Sequence, residues 1–192
     1  MTLGQNTIIN HGTIEPTQGG NVIGSSVNGA SSGIKFENHG VVRGSILFTD
    51  GNDDLTFYAG SVVTGNIDGG GGSNTLTLNG AIGSDDTLAG ALKDFQTLTK
   101  DGDGRWTVSG PLQGFDIVNV NQGILALTGN NDNFTGTLTV NSGGTVEARA
   151  QSLPTSVVTT TGGNVRFIQD DTGTYSGVIS GTGNVDMEGY GK

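Results

Sequence analysis

The chain has no cysteine, which removes disulfides and thiolate metal sites and disfavours a redox role. Proline is nearly missing as well, at three of 192 residues, so the 36 glycines belong neither to a collagen-like repeat nor to a proline-rich tract. Bases are scarce: eight against eighteen acids leave a net charge of −10. They stand singly along the chain, without the clustered positive surface that phosphate or anionic lipid recognition needs, so nucleic acid is not expected as a partner. No run approaches ~18 apolar residues, and membrane insertion by this segment is not expected. The opening Met1-Thr2-Leu3-Gly4-Gln5 lacks a charged-then-apolar signal pattern, which leaves a cytoplasmic chain or targeting information outside it. Apolar residues make up only 32%, too few for a compact two-layer core but enough for a chain that buries one or two residues per strand.

What is present is a period. One apolar column reads Phe36, Phe57, Leu78, Leu98, Val118, Leu138, Val158, Val178. A second, offset by about half a turn, reads Ile46, Ile67, Leu88, Val108, Leu127, Ala148, Phe167, Met187. A chain that winds once per ~20 residues returns the same face to the same axis at each turn, whereas a globular core has no reason to repeat at that interval. The columns predict an all-β parallel solenoid of about eight coils of 20–21 residues, and spacing alone leaves two or three sheets per coil open.

Local patterns agree. Thr75–Leu78, Trp106–Val108, Thr137–Val140, Thr145–Ala148 and Asn164–Phe167 alternate with period two, as half-buried strands do. Asp50–Asp53, Gly69–Gly72, Gly129–Asp132 and Thr161–Asn164 supply Gly and Asn for corners. Leu88, Leu92 and Phe95 have helical spacing, yet both columns pass through them, so that stretch is read as a coil with a longer corner. Before Ile34 the register loosens and 24–33 reads as a loop. Residues 1–33 are therefore expected as an irregular first coil or cap region, and 34–192 as one continuous stack of rungs. Gly51–Phe57 recurs as Gly72–Leu78, and Asn10-His11-Gly12-Thr13-Ile14 resembles Asn38-His39-Gly40-Val41-Val42 at the off-period distance of 28.

Three stretches carry a family likeness. Leu98-Thr99-Lys100-Asp101-Gly102-Asp103-Gly104-Arg105-Trp106-Thr107-Val108-Ser109-Gly110 resembles a run found in bacterial autotransporter passenger domains. Residues 123–146 are similar to the passenger-associated transport repeat, and 174–185 to the phrase that opens another. The resemblance covers roughly residues 50 to 187 and implies a right-handed, single-stranded parallel β-helix exported through the outer membrane of a Gram-negative bacterium by type V secretion. It implies display at the cell surface or release outside it, and a non-enzymatic role as stalk or binding surface in adhesion or virulence. The partners it implies are a host-surface or matrix ligand, or other passengers through self-association. Under that reading the chain is a fragment of a longer passenger, and the missing cysteines suit a chain that crosses a pore unfolded.

Other chemistry finds weaker support in the residues. Gly69–Thr77 fits a calcium-binding nonapeptide, except that Asn74 stands where the liganding Asp belongs. Lys100–Arg105 resembles the start of an EF-hand but places Trp106 at the obligatory glycine and Leu112 at the bidentate glutamate. The pairs Asp53/Asp54, Asp85/Asp86, Asp101/Asp103 and Asp170/Asp171 raise polysaccharide cleavage, which needs two carboxyls facing one cleft ~5–9.5 Å apart. They sit in Gly-, Asn- and Thr-rich corners and are read as solvated acids. His11 and His39 lack a nucleophile-elbow serine, and Trp106, two residues before Val108, is read as core. No catalytic, cofactor-binding or metal-binding residue is expected.

Overall fold

The computed structural model describes residues 6–16, 21–24, 32–48 and 50–190. They form parallel strands stacked into a solenoid, and no helix among them is long and apolar enough to cross a membrane. The longest sheet has nine strands: Asn6–Asn10, Ile34–Asn38, Asp54–Tyr58, Thr75–Asn79, Thr97–Asp101, Ile117–Val120, Thr137–Val140, Ser156–Thr159 and Val178–Gly181. Nine strands mean eight turns, and at ~4.8 Å per coil the stack is about 40 Å long.

The other walls change along the rod. Early coils add a short strand in a three-stranded sheet (Thr13–Ile14, Val41–Val42, Val62–Val63) and another in a four-stranded sheet (Asn21–Gly24, Ser45–Leu47, Ile67–Asp68, Leu92–Lys93). From Asp85 onward a six-stranded sheet takes over: Asp85–Leu88, Arg105–Val108, Gly123–Leu127, Gly144–Ala148, Asn164–Ile168 and Asn184–Glu188. The solenoid therefore has three strands per coil at one end and two at the other. The third side of the later coils is built from loops, whose Phe95, Phe115, Phe134 and Leu153 point into the core at steps of 19 or 20 residues. Tyr175 continues that column, packs its ring against Phe167 and donates its hydroxyl to the Pro154 carbonyl at 2.6 Å.

Register corrects both columns. In the long sheet one inward line runs Phe36, Leu55, Leu76, Leu98, Val118, Leu138, Val157, Ile179, and a second runs Asn10, Asn38, Phe57, Leu78, Lys100, Val120, Val140, Thr159. The column read from sequence thus crosses between two lines at Phe36→Phe57 and again at Leu78→Leu98. It then leaves the core, since Val158 faces outward and Val178 is 66% exposed. The cause is that after the first coil the steps vary from 19 to 22 residues with corner length: a slip of two residues, as at Phe57 and Leu98, moves to the neighbouring inward line, and a slip of one, as at Val158, exchanges faces. The second column is continuous from Leu88 to Met187, but Ile46 and Ile67 belong to the four-stranded sheet, where Leu92 follows them.

In the region before Ile34, Asn6–Asn10 and Thr13–Ile14 pair in register with Ile34–Asn38 and Val41–Val42, so the two Asn-His-Gly stretches occupy equivalent rungs. Their 28-residue separation is one long coil. Most of the loop expected at 24–33 (residues 25–31) lies outside the described residues.

Candidate functional site

The Leu98–Gly110 run has a physical meaning in this fold. Leu98 and Lys100 face inward from one strand, Trp106 and Val108 face inward from the next, and Gly102 and Gly104 make the corner between them. Gly102 has φ +69°, and a Cβ there would strike the Gly80 carbonyl oxygen of the coil below. Trp106 packs its ring against Phe57 at 6.3 Å between centroids. Lys100 lies fully buried between Leu78 and Val120 and turns its Nζ to the carbonyl oxygens of Asp101, Gly102 and Gln122 at 2.8, 2.7 and 3.1 Å. The ammonium thus caps the carbonyls of two successive corners. Burial pushes its pKa down to about 8, against the pull of Asp101 and Asp103.

The acid pairs do not converge. Neighbouring residues of a strand point to opposite faces, so Asp54 turns outward while Asp53 is buried, and Asp86 turns toward the Gly60 amide while Asp85 stays exposed beside Arg105. Asp101 accepts from Asn121, whereas Asp103, Asp170 and Asp171 are exposed. Asp53 departs from the expectation of a solvated corner acid, being only 1% exposed. Its Oδ1 accepts the Ile34 amide at 2.6 Å, and its Oδ2 has no hydrogen-bond partner among the described residues. Burial raises its pKa to about 6, against the lowering effect of the Ile34 amide.

Corner side chains instead form ladders along the rod. Asp53, Asn74 and Gln96 each accept a backbone amide from the coil below, at 2.6, 2.9 and 2.6 Å. Asn74, the residue in the calcium-like stretch, donates its amide to the carbonyls of Gly69, Gly71 and Asp94, so an N–H group occupies the point where those oxygens would face a cation. Among the described residues no three His, Asp or Glu side chains are grouped to hold a metal. His11 stacks on His39 at 4.6 Å, and His39 on Tyr58 at 3.9 Å. The same line continues through Asn79 to Asp101, Asn121 and Asn141, the last three linked by amide hydrogen bonds of 2.9 Å. Both histidines are therefore members of a corner seam.

One outward cluster was missed in the sequence. Glu147, with its side chain 7% exposed, sits on the outer face of the six-stranded sheet and accepts from Arg105 through Oε2 and from Arg166 through Oε1, the latter at 3.0 Å. Arg105 stands two coils before Glu147 and spans the strand between them, where the outward residue is Ala126. The small side chain leaves a half-open depression of about 220 Å³, bounded by Arg105, Glu147, Arg149, Thr128 and Ile168. The sequence held a signal for this cluster: Arg105 and Glu147 are 42 residues apart, which is two periods, and Arg166 is one period further.

The chain is similar to a stretch of the adhesin BmaC autotransporter of Brucella suis biovar 1 (strain 1330), with 33% identity over 115 residues. That match takes in 58% of this chain and 3% of the adhesin, so the chain spans a small fraction of the protein it resembles. No family model matches, and no solved structure matches. A similarity to an autotransporter adhesin and a β-solenoid fold both agree with the likeness to autotransporter passengers.

Proposed function

We propose that the chain is a surface-displayed segment of an autotransporter passenger, serving as a β-helical stalk or binding surface in adhesion. The similarity to an autotransporter adhesin carries this reading. The stacking supports it: each strand pairs only with strands of the coils beside it, so a chain emerging from a pore can add coils one at a time on those already formed. The disposition of polar side chains also supports a non-enzymatic role, because Asp53, Asn74, Lys100, Asp101 and both histidines are engaged in corner contacts along the rod. The ligand in this reading is a component of a host surface or matrix, met outside the cell. The test is attachment of beads coated with the purified chain to epithelial cells and to immobilised matrix proteins, beside beads coated with the heat-unfolded chain. Saturable attachment of the folded chain alone is expected. Equal attachment of both coatings overturns the binding role.

A further inference from the structure

The depression over Ala126 is the place where this chain's few arginines collect. In a molecule of net charge −10, three of the four arginines, Arg105, Arg149 and Arg166, gather on one outer face. One nearly buried carboxylate, Glu147, serves Arg105 and Arg166, which holds both guanidinium groups in place, and among the charged side chains that line the depression it stands alone against two arginines, Arg105 and Arg149. The remaining acids near them, Asp85, Asp171 and Glu188, are 63–70% exposed at 3.2–3.7 Å, where water screens them. The Arg149 side chain makes a single hydrogen bond among the described residues, to Asp171 at 3.2 Å, so most of its donors stay open. The floor is apolar, Ala126 beside Ile168, and Thr128 places a hydroxyl at the rim. At about 220 Å³ the depression is smaller than the ~300 Å³ lower bound of sites for drug-sized ligands, and it suits one sugar ring.

We propose that this depression is a subsite for a single carboxylate-bearing sugar of a surface glycan, a uronic acid by class. The ring's C–H face lies on Ala126 and Ile168 while its carboxylate pairs with the open donors of Arg149. A planar guanidinium suits a carboxylate because it offers two parallel donors. No aromatic ring lines the depression, so there is no stacking platform and the carboxylate contact carries the selectivity. The proposal rests on the binding-surface reading above and specifies its ligand.

The test is a titration of the isotope-labelled chain with glucuronate, glucose and acetate at millimolar concentration, followed by amide NMR. Saturable shifts at Ala126, Thr128 and Ile168 are expected for glucuronate, with glucose at least about tenfold weaker, since it lacks a charge-assisted contact that contributes on the order of 1.5–3 kcal/mol and 1.4 kcal/mol is tenfold, and with acetate weaker than glucuronate because it lacks the ring that lies on Ala126 and Ile168. Arg149→Gln, at an exposed position, and Ala126→Leu, which fills the depression, should each reduce glucuronate binding about tenfold or more while the thermal midpoint stays within a few degrees. Shifts that are absent, equal for glucose or acetate, or unchanged in both variants overturn the proposal. Bead attachment that persists in a chain silent to glucuronate overturns the subsite and leaves the adhesive reading standing.

Discussion

Replacing Asp53 with asparagine should stabilise the protein at neutral pH. In the folded chain this carboxylate is 1% exposed, accepts one short bond from Ile34 and leaves Oδ2 unpaired, so burial raises its pKa from 3.8 to about 6. The folded state then holds the Asp53 proton more tightly than the unfolded state does. Its contribution is most favourable below pH 3.8, declines as pH rises through about 6, and is level above that. At ~1.36 kcal/mol per unit the full shift corresponds to about 3 kcal/mol, and because a thin rod keeps every buried group near bulk water we take about 1–3 kcal/mol. Asparagine keeps the acceptor for Ile34 and supplies the N–H that Asn74 uses one coil above. Asp53→Asn should therefore raise the thermal midpoint at pH 7 by roughly 2–10 °C for a chain of this size, and the gain should vanish near pH 4, where the acid is protonated. Paired melts of both proteins from pH 4 to 8 measure this, and the difference between them cancels every other titrating group. Destabilisation of the variant at pH 7, or a difference that does not change with pH, would refute the reasoning.

Other outcomes follow from the register and from the two charged groups taken out of water. Val157→Asp buries a charge in the core and should cost more than about 3 kcal/mol or prevent folding, whereas Val178→Asp, on the exposed face, should stay within about 0.5 kcal/mol. Urea unfolding decides between this register and the one read from sequence. Lys100→Met keeps the apolar stem but strands three carbonyls, at a cost of about 1–3 kcal/mol. Because burial lowers the Lys100 pKa from 10.5 to about 8, the folded chain holds that proton less tightly, so the lysine's contribution should grow between pH 8 and 10.5 and be absent in the variant, as urea midpoints at both ends of that window will show. Glu147→Ala leaves Arg105 and Arg166, each about a third exposed, without their shared carboxylate and should cost about 1–3 kcal/mol in the same assay.

The fold was legible in the sequence because a solenoid writes its turn length into the spacing of its core residues. The line from Leu88 to Met187 could be read directly, since its corners keep the step between 19 and 21. The long sheet could not be followed residue by residue. Its steps range more widely, two of its inward positions are asparagines and one is a lysine, and a reader of apolar periodicity passes over all three. Asp53 was hidden for a related reason: a Gly-Asn-Asp corner looks solvated, and only the stacking of the coils on either side covers it. Phe95, Phe115 and Phe134 repeat plainly but lie outside strands, where an alternating pattern does not point to them. The Glu147 cluster is visible only when outward positions are compared at once and twice the period.

The passage from three strands per coil to two gives the rod unequal mechanics. Where three walls are hydrogen-bonded from coil to coil, lateral force meets similar resistance from every direction. Beyond Leu92–Lys93 one wall has no backbone ladder, and its coils are held by packed rings and by side-chain amides such as Asn131, which bridges the Leu112 amide and the Ser152 carbonyl. That wall is the compliant one. A rod pulled sideways at its far end will flex by opening or closing along the Phe95–Phe115–Phe134 side, with the nine-stranded sheet acting as its spine.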